Sequence, residues 1–133
     1  MAECILIADD EPDMRVLLRD LFEEEGYRVL TAADGQQAVA LALSHLPAVI
    51  LLDVMMPKMD GIQACRILKS DPRTAHIPVA LLTATRALVL NSGSGADADL
   101  PKPFDLEVLL SLTERLARRH SMPDDRAMLR APT

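Results

Sequence analysis

Four short apolar runs along the chain each end at polar residues. The runs and the residues that end them are 4–8 with Asp9 and Asp10, 48–52 with Asp53, 79–82 with Thr83, and 98–100 with Lys102 beyond Pro101. Continuous apolar runs of this length are typical of strands buried on both faces of a parallel sheet. The carboxyl ends of such strands lie along one edge, where open α/β folds bind ligands. The pattern therefore predicts that carboxylates, a hydroxyl and an ammonium group converge there.

Segments with helical periodicity alternate with these runs, which predicts an α/β fold. Pro12 and Gly26 mark the two ends of the first helix. Asp34 and Asp60, each with a glutamine three residues later, predict two further helix starts with reciprocal capping, and Asp105 predicts the start of the last helix. The apolar face of the first helix is predicted to comprise Met14, Leu17, Leu18, Leu21 and Phe22.

Length and composition predict one domain with an aliphatic core. The chain has 133 residues, of which 50% are hydrophobic and 2% aromatic. So few aromatic residues and a net charge of −6 argue against direct nucleic-acid binding, which uses stacking side chains and positive charge. We assign residues 1–120 to the domain. Residues 121–133, with two prolines and little apolar periodicity, are predicted to form a flexible tail or linker stump.

The remaining sequence shows no targeting segment and no metal-binding cysteine pattern. A secretory signal and an apolar stretch of about 20 residues are both absent, which predicts a cytoplasmic protein without membrane insertion. Cys4 and Cys65 lie far apart in sequence and are predicted to be buried free thiols.

The chemistry predicted for the sheet edge is phosphoryl transfer assisted by a divalent cation. Carboxylates about 4 Å apart repel by roughly 4 kcal/mol at an effective dielectric near 20, so Asp9, Asp10 and Asp53 together require a compensating cation. Mg²⁺ suits this need because it prefers oxygen ligands and keeps positions for water and phosphate. Asp53 is then a candidate nucleophile, with Thr83 and Lys102 holding the transferred oxygens.

At these residues the sequence resembles the CheY-like receiver domains of two-component response regulators. The resemblance covers about residues 4–118. It rests on the Asp9-Asp10 pair, on the sequence LLDVMMPKMDG at 51–61, on LTA at 82–84 and on KPF at 102–104. The family implies a doubly wound, five-stranded parallel sheet with strand order 2-1-3-4-5 and a cis bond before Pro103.

The resemblance also implies the roles of the site residues. Asp53 is the phosphoacceptor, and Mg²⁺, or alternatively Mn²⁺, is held by Asp9, Asp10, Asp53 and the Met55 backbone carbonyl. Thr83 and Lys102 bind the phosphoryl oxygens. The implied phosphodonor is a sensor histidine kinase or a histidine phosphotransfer protein, and output passes to a downstream protein target. The chain is then a phosphoacceptor switch, limited to phosphotransfer and slow self-dephosphorylation, and not an enzyme.

Two features depart from the family pattern. Asp99 occupies the position where the family usually has an aromatic residue or histidine that reorients on activation. The stretch between Thr83 and Lys102 is short and rich in glycine and serine, which predicts a short or mobile fourth helix near 86–90. Both features favour an unusual output surface.

The sequence shares features with three other functional classes. A receiver-like interaction module that signals without phosphorylation is the main alternative. A phosphohydrolase of the haloacid dehalogenase type requires a second aspartate two residues after the nucleophile, where this chain has Met55. A flavodoxin-like flavin binder is disfavoured because the acidic residues after the first strand would repel a phosphate group.

Overall fold

A computed structural model of the protein describes residues 3–84 and 92–121. Within these ranges, the order of elements is β1-α1-β2-α2-β3-α3-β4-β5-α4. The strands are β1 (Cys4–Ala8), β2 (Arg28–Ala32), β3 (Val49–Asp53), β4 (Val79–Thr83) and β5 (Ala98–Pro101). The helices are α1 (Pro12–Glu24), α2 (Gly35–His45), α3 (Gly61–Ser70) and α4 (Leu106–Ser121).

The five strands form one parallel sheet in the order β2-β1-β3-β4-β5, which confirms the predicted fold class and strand order. Pairing of Ala8 with Leu52 aligns β1 and β3, so that the residues after them leave the sheet side by side. Thr83 pairs with Pro101 at the ends of β4 and β5. The change of winding direction lies between β1 and β3, where folds of this type bind ligands.

The sheet separates two apolar cores, one on each face. Alternate residues of the central strands point to opposite faces, and both faces are covered, so β3 and β4 are buried at every residue and β1 at every residue except Cys4. One core packs α2 and α3 against the sheet, and the other packs α1 and α4. Helices therefore cover both faces of the sheet, and the carboxyl ends of the strands lie along one edge between them.

The predicted helix boundaries agree with the structure to within one or two residues. Asp60 and Gln63 form the reciprocal capping box predicted for α3. At α2, Asp34 caps the Gln37 N–H, but the Gln37 side chain accepts from the Ala33 N–H instead of the Asp34 N–H. Leu17, one of the five apolar residues whose spacing predicts α1, is 47% exposed in that helix.

Several other predictions can be compared with the described residues. The peptide bond before Pro103 is cis, as the resemblance implied. Cys65 is buried and Cys4 half-buried, and both are free thiols. Among the described residues, no helix combines the length and apolar character needed to cross a bilayer. The predicted fourth helix near 86–90 lies outside the described residues, and so does the predicted tail at 121–133 except for Ser121, which ends α4.

Lys69 of α3 ties three segments together through a network that the sequence did not predict. Its Nζ lies 2.8 Å from Asp97 Oδ2 and donates to the carbonyls of Ile77 and Ala75 at 2.7 and 3.2 Å. Asp97 Oδ2 also accepts from the Val79 N–H at 2.8 Å. The network therefore joins α3 to the starts of β4 and β5.

Replacing Lys69 with methionine is expected to destabilise the fold by about 2 kcal/mol, because Asp97 and two carbonyls lose their shared donor in a mostly shielded position. Chemical denaturation monitored by circular dichroism measures this loss. Lys58→Met is the matched control: the Lys58 side chain is 65% exposed and lies 3.8 Å from Asp34, and such pairs contribute little. Equal stability losses in the two variants would contradict the expectation.

Candidate functional site

The polar residues at the carboxyl ends of β1, β3, β4 and β5 lie along one edge of the sheet, as the sequence pattern predicted. Asp53 is the last residue of β3 and pairs with Leu82 of β4. Thr83 ends β4, and its carbonyl accepts from the Lys102 N–H at 2.8 Å. The strand register thus places Thr83 and Lys102 beside one another on the β5 side of Asp53.

Asp9, Asp53 and Lys102 form the centre of this edge. Lys102 Nζ lies 3.3 Å from Asp53 Oδ1 and 3.6 Å from Asp9 Oδ2. Asp9 and Asp53 are 1% and 5% exposed, whereas Asp10 is exposed. Thr83 is also buried. The carboxylates of Asp9 and Asp53 therefore lie buried at the bottom of the site, and the site is open to solvent on the side of Asp10.

The pKa of Asp53 is raised from its ordinary value, chiefly by burial and also by the neighbouring Asp9 carboxylate. The Lys102 ammonium group opposes this rise, as does a hydrogen bond from the Met55 backbone N–H. Burial and repulsion outweigh these favourable contacts. Without a bound metal ion, the protein thus holds Asp53 where the ionised carboxylate is less stable than it is in water.

The donor set at this edge fits a hard divalent cation. Asp9, Asp10 and Asp53 each offer a carboxylate oxygen, and these oxygens all lie within 4.8 Å of one another. Asp9 Oδ2 is buried and has no hydrogen-bond partner among the described residues, although buried polar atoms are normally paired. Carboxylate oxygens are preferred ligands of Mg²⁺, so a cation here would satisfy this oxygen and offset the repulsion.

Asp9 is fixed in place by three contacts with neighbouring segments. Its backbone N–H donates to Ala32 at 3.0 Å, and its Oδ1 accepts from the Glu11 N–H at 2.9 Å. Arg15 Nη1 donates to the Asp9 carbonyl at 2.7 Å. Sequence analysis missed Arg15, although a cation in the first turns of a helix is unfavourable for the helix dipole and could have signalled a specific contact.

The loop between β3 and α3, residues 54–60, begins directly after Asp53. Met55 is 69% exposed at the mouth of the site, and its N–H donates to the Asp53 carboxylate. Gly61 is the first residue of α3 and does not have a left-handed backbone. It lies against Asp53, where an added Cβ would overlap the Asp53 carbonyl oxygen.

Comparison with known proteins agrees with this geometry. The family model of the response regulator receiver domain matches residues 5–114. RpaA of Synechocystis sp., a DNA-binding dual master transcriptional regulator, is 44% identical over 118 residues. The match covers 86% of this chain and 49% of RpaA. The chain therefore spans about half the length of this relative.

Two solved structures are similar to the chain over nearly their whole length. The signal receiver domain of a signal transduction histidine kinase from Syntrophus aciditrophicus has a TM-score of 0.82 and 38% identity, covering 88% of this chain and 91% of that chain. The receiver domain of the sensor histidine kinase PA1611 from Pseudomonas aeruginosa has a TM-score of 0.80 and 30% identity, covering 88% and 98%. That structure has a magnesium ion coordinated in the active site cleft.

Proposed function

Because the chain belongs to the response regulator receiver domain family, we propose that it is a Mg²⁺-dependent phosphoacceptor switch in which Asp53 receives the phosphoryl group. The observation that carries this proposal is the buried Asp53 carboxylate, 3.3 Å from Lys102 Nζ and grouped with Asp9 and Asp10. The Asp53 nucleophile, the Lys102 ammonium group and two further carboxylates, those of Asp9 and Asp10, meet at the open edge of the sheet. This is the set of groups that transfer to an aspartate requires.

The proposed reaction moves a phosphoryl group from a phosphohistidine to Asp53. A carboxylate oxygen of Asp53 forms a bond to phosphorus while the bond between phosphorus and the histidine nitrogen breaks. The product is an aspartyl phosphate, and the electron pair of the broken bond stays on the histidine. Water then hydrolyses the aspartyl phosphate slowly, which returns Asp53 to its free carboxylate. Because the chain itself carries the phosphoryl group and is reset only slowly, we describe it as a switch and not as an enzyme.

Lys102 and Thr83 are proposed to hold the transferred oxygens. Lys102 Nζ already lies within 4 Å of two carboxylates, so its charge is close to the position where negative charge develops. Thr83 ends the neighbouring strand and is held to the Lys102 backbone. Preorganised donors of this kind stabilise a transition state without moving during the reaction.

Asp9, Asp10 and Asp53, together with the Met55 carbonyl, are the residues that would hold Mg²⁺. When bound, the ion offsets the repulsion between the carboxylates and the incoming phosphoryl group. The buried Asp9 Oδ2, which has no hydrogen-bond partner among the described residues, and the magnesium-containing receiver domain of PA1611 support this assignment. Mn²⁺ prefers similar oxygen ligands and is proposed as a substitute.

The proposed phosphodonor is a sensor histidine kinase or a histidine phosphotransfer protein, and the proposed output is contact with a downstream protein. RpaA, twice as long as the matched segment, is a DNA-binding regulator; that activity is a property of RpaA. For the described chain, direct nucleic-acid binding remains disfavoured by the net charge of −6. A cytoplasmic location stays a prediction from the sequence.

Intact-mass analysis after incubation with acetyl phosphate tests the proposal directly. With Mg²⁺ we expect the mass of one phosphoryl group to be added, and with EDTA in place of Mg²⁺ we expect none. Parallel incubation with Mn²⁺ should restore the adduct. If a folded protein gains no mass at any time from seconds to hours, with Mg²⁺ present, the phosphoacceptor function is wrong and an interaction module without phosphorylation is favoured.

A further inference from the structure

The first backbone N–H groups of two helices both donate to the loop that follows Asp53. Gly61 N, at the start of α3, donates to the Val54 carbonyl at 2.9 Å. Gly35 N, at the start of α2, donates to the Met59 carbonyl at 2.9 Å. The first N–H groups of a helix have no partner within the helix. Residues 54–60 therefore supply acceptors to both helices and are held by both.

Neither contact leaves room for a side chain on the glycine. A Cβ on Gly35 would overlap the Met59 carbonyl oxygen and lie 2.8 Å from the carbonyl carbon and 2.9 Å from Met59 Cβ. A Cβ on Gly61 would overlap the Asp53 carbonyl oxygen and lie 3.0 Å from Val54 Cα. The obstructing atoms are mainly backbone, so relief requires movement of the loop itself.

The end of the loop near α2 contains Lys58, whose backbone conformation is unusual and whose side chain lies near the cap of that helix. Lys58 has a φ of 67°, a left-handed conformation that is uncommon for residues other than glycine. Its Nζ lies 3.8 Å from Asp34 Oδ2, and Asp34 is the N-cap of α2. The loop is thus held against the start of α2 by a backbone hydrogen bond and by close packing.

We propose that Gly35 is a positioning residue for the metal site, acting through Met59 and the loop of residues 54–60 on the backbone of Asp53 and Met55. This inference rests on the proposed function, because it concerns the cation that Asp53 and the Met55 carbonyl would hold. Gly61 fixes the loop beside Asp53, and Gly35 fixes its far end. The spacing between the acceptor carboxylate and the Met55 carbonyl then depends on contacts from both helices.

Isothermal titration calorimetry with MgCl₂ tests the proposal on the full chain. Gly35→Ala and Gly61→Ala are each expected to raise the Mg²⁺ dissociation constant by about 10-fold, a typical effect of residues that orient metal ligands. Gly26→Ala is the matched control. Gly26 has a φ of 94° and open space around it, so alanine strains the backbone there without displacing the loop.

Thermal unfolding of all three variants separates positioning from general destabilisation. If Gly35→Ala binds Mg²⁺ as tightly as the wild type, or if Gly26→Ala loses the same affinity at equal stability, the proposal is overturned. Failure of the wild type to bind Mg²⁺ is a different result, since it contradicts the proposed metal-dependent function and the inference with it.

A measurement on the unaltered protein applies even where Gly35→Ala does not fold. In ¹⁵N-labelled wild type, saturation with Mg²⁺ is expected to shift the amide resonances of Gly35 and Gly61, because their N–H groups donate to the loop. The Gly26 amide, at the opposite edge of the sheet, should not move. An unchanged Gly35 resonance alongside a shifted Gly61 resonance would show that α2 does not sense the site.

Discussion

The Asp53→Asn variant, incubated with acetyl phosphate and Mg²⁺, is expected to gain no phosphoryl mass under conditions in which the wild type is modified. The amide has nearly the same shape as the carboxylate but lacks its nucleophilic charge, so the bond to phosphorus does not form. Intact-mass analysis measures the loss, which should be complete within detection. No other substitution in the chain is expected to have a larger effect on this reaction.

Asp53→Asn should not unfold the protein, and this separates lost chemistry from lost structure. The pKa of Asp53 is raised in the fold, chiefly by burial, so the carboxyl group's contribution to stability falls as pH rises through the interval from its unfolded to its folded pKa. At neutral pH the ionised group destabilises the metal-free fold. We therefore expect the neutral variant to unfold at the same or a higher temperature than the wild type without Mg²⁺.

Asp60→Asn is the matched control for this experiment. It removes the same charge from the end of the same loop, and asparagine replaces aspartate well as an N-cap, the role of Asp60 in α3. Asp60→Asn should be modified normally. An adduct on Asp53→Asn of the same yield as on the control would contradict Asp53 as the acceptor and direct the search to another carboxylate, beginning with Asp9 and Asp10.

The Asp9→Asn variant is expected to bind Mg²⁺ at least 10- to 100-fold more weakly than the wild type. Changes to residues that merely orient metal ligands reach this magnitude, and Asp9 is a proposed direct ligand. Its Oδ2 is the buried oxygen without a hydrogen-bond partner, whereas its Oδ1 accepts from Glu11. Asparagine retains an oxygen for Glu11, so the local backbone should stay in place.

Titration calorimetry of Asp9→Asn against Asp20→Asn gives the required comparison. Asp20 lies on α1 with a side chain that is 65% exposed and 3.7 Å from Arg19, so its substitution changes the net charge equally but leaves the sheet edge unchanged. Mg²⁺ affinity that falls equally in both variants would show only a general charge effect. Unchanged affinity in Asp9→Asn would remove Asp9 from the proposed metal site.

Sequence analysis predicted four of the five strands by residue: β1, β3 and β4 from apolar runs, and β5 from the short segment 98–100 that precedes Lys102. It left β2 without residue bounds, and the structure shows why. This edge strand is covered less completely than the central ones, with an exposed residue at its start and three half-buried residues. A strand with weak burial has no strong reason to be continuously apolar, so its existence followed only from the family resemblance.

The residues that orient the site were less predictable than the residues that compose it. Arg15 donates to the backbone carbonyl of Asp9, and such a contact requires no particular residue type at the acceptor. Gly35 and Gly61 were placed at helix starts, but the lack of space around them depends on which loop passes beside them. A sequence pattern records neither effect.

The sequence by itself determined the buried strands, most helix starts, and the acidic and basic residues at the strand ends, because hydrophobic periodicity and helix capping act over a few neighbouring residues. Tertiary structure alone decided which of these residues touch. It placed Lys102 within 4 Å of Asp9 and Asp53, left Asp9 Oδ2 without a hydrogen bond, and pressed α2 and α3 against one loop. Such distances result from the packing of segments far apart in the chain, where a shift of about 1 Å is enough to alter a reaction.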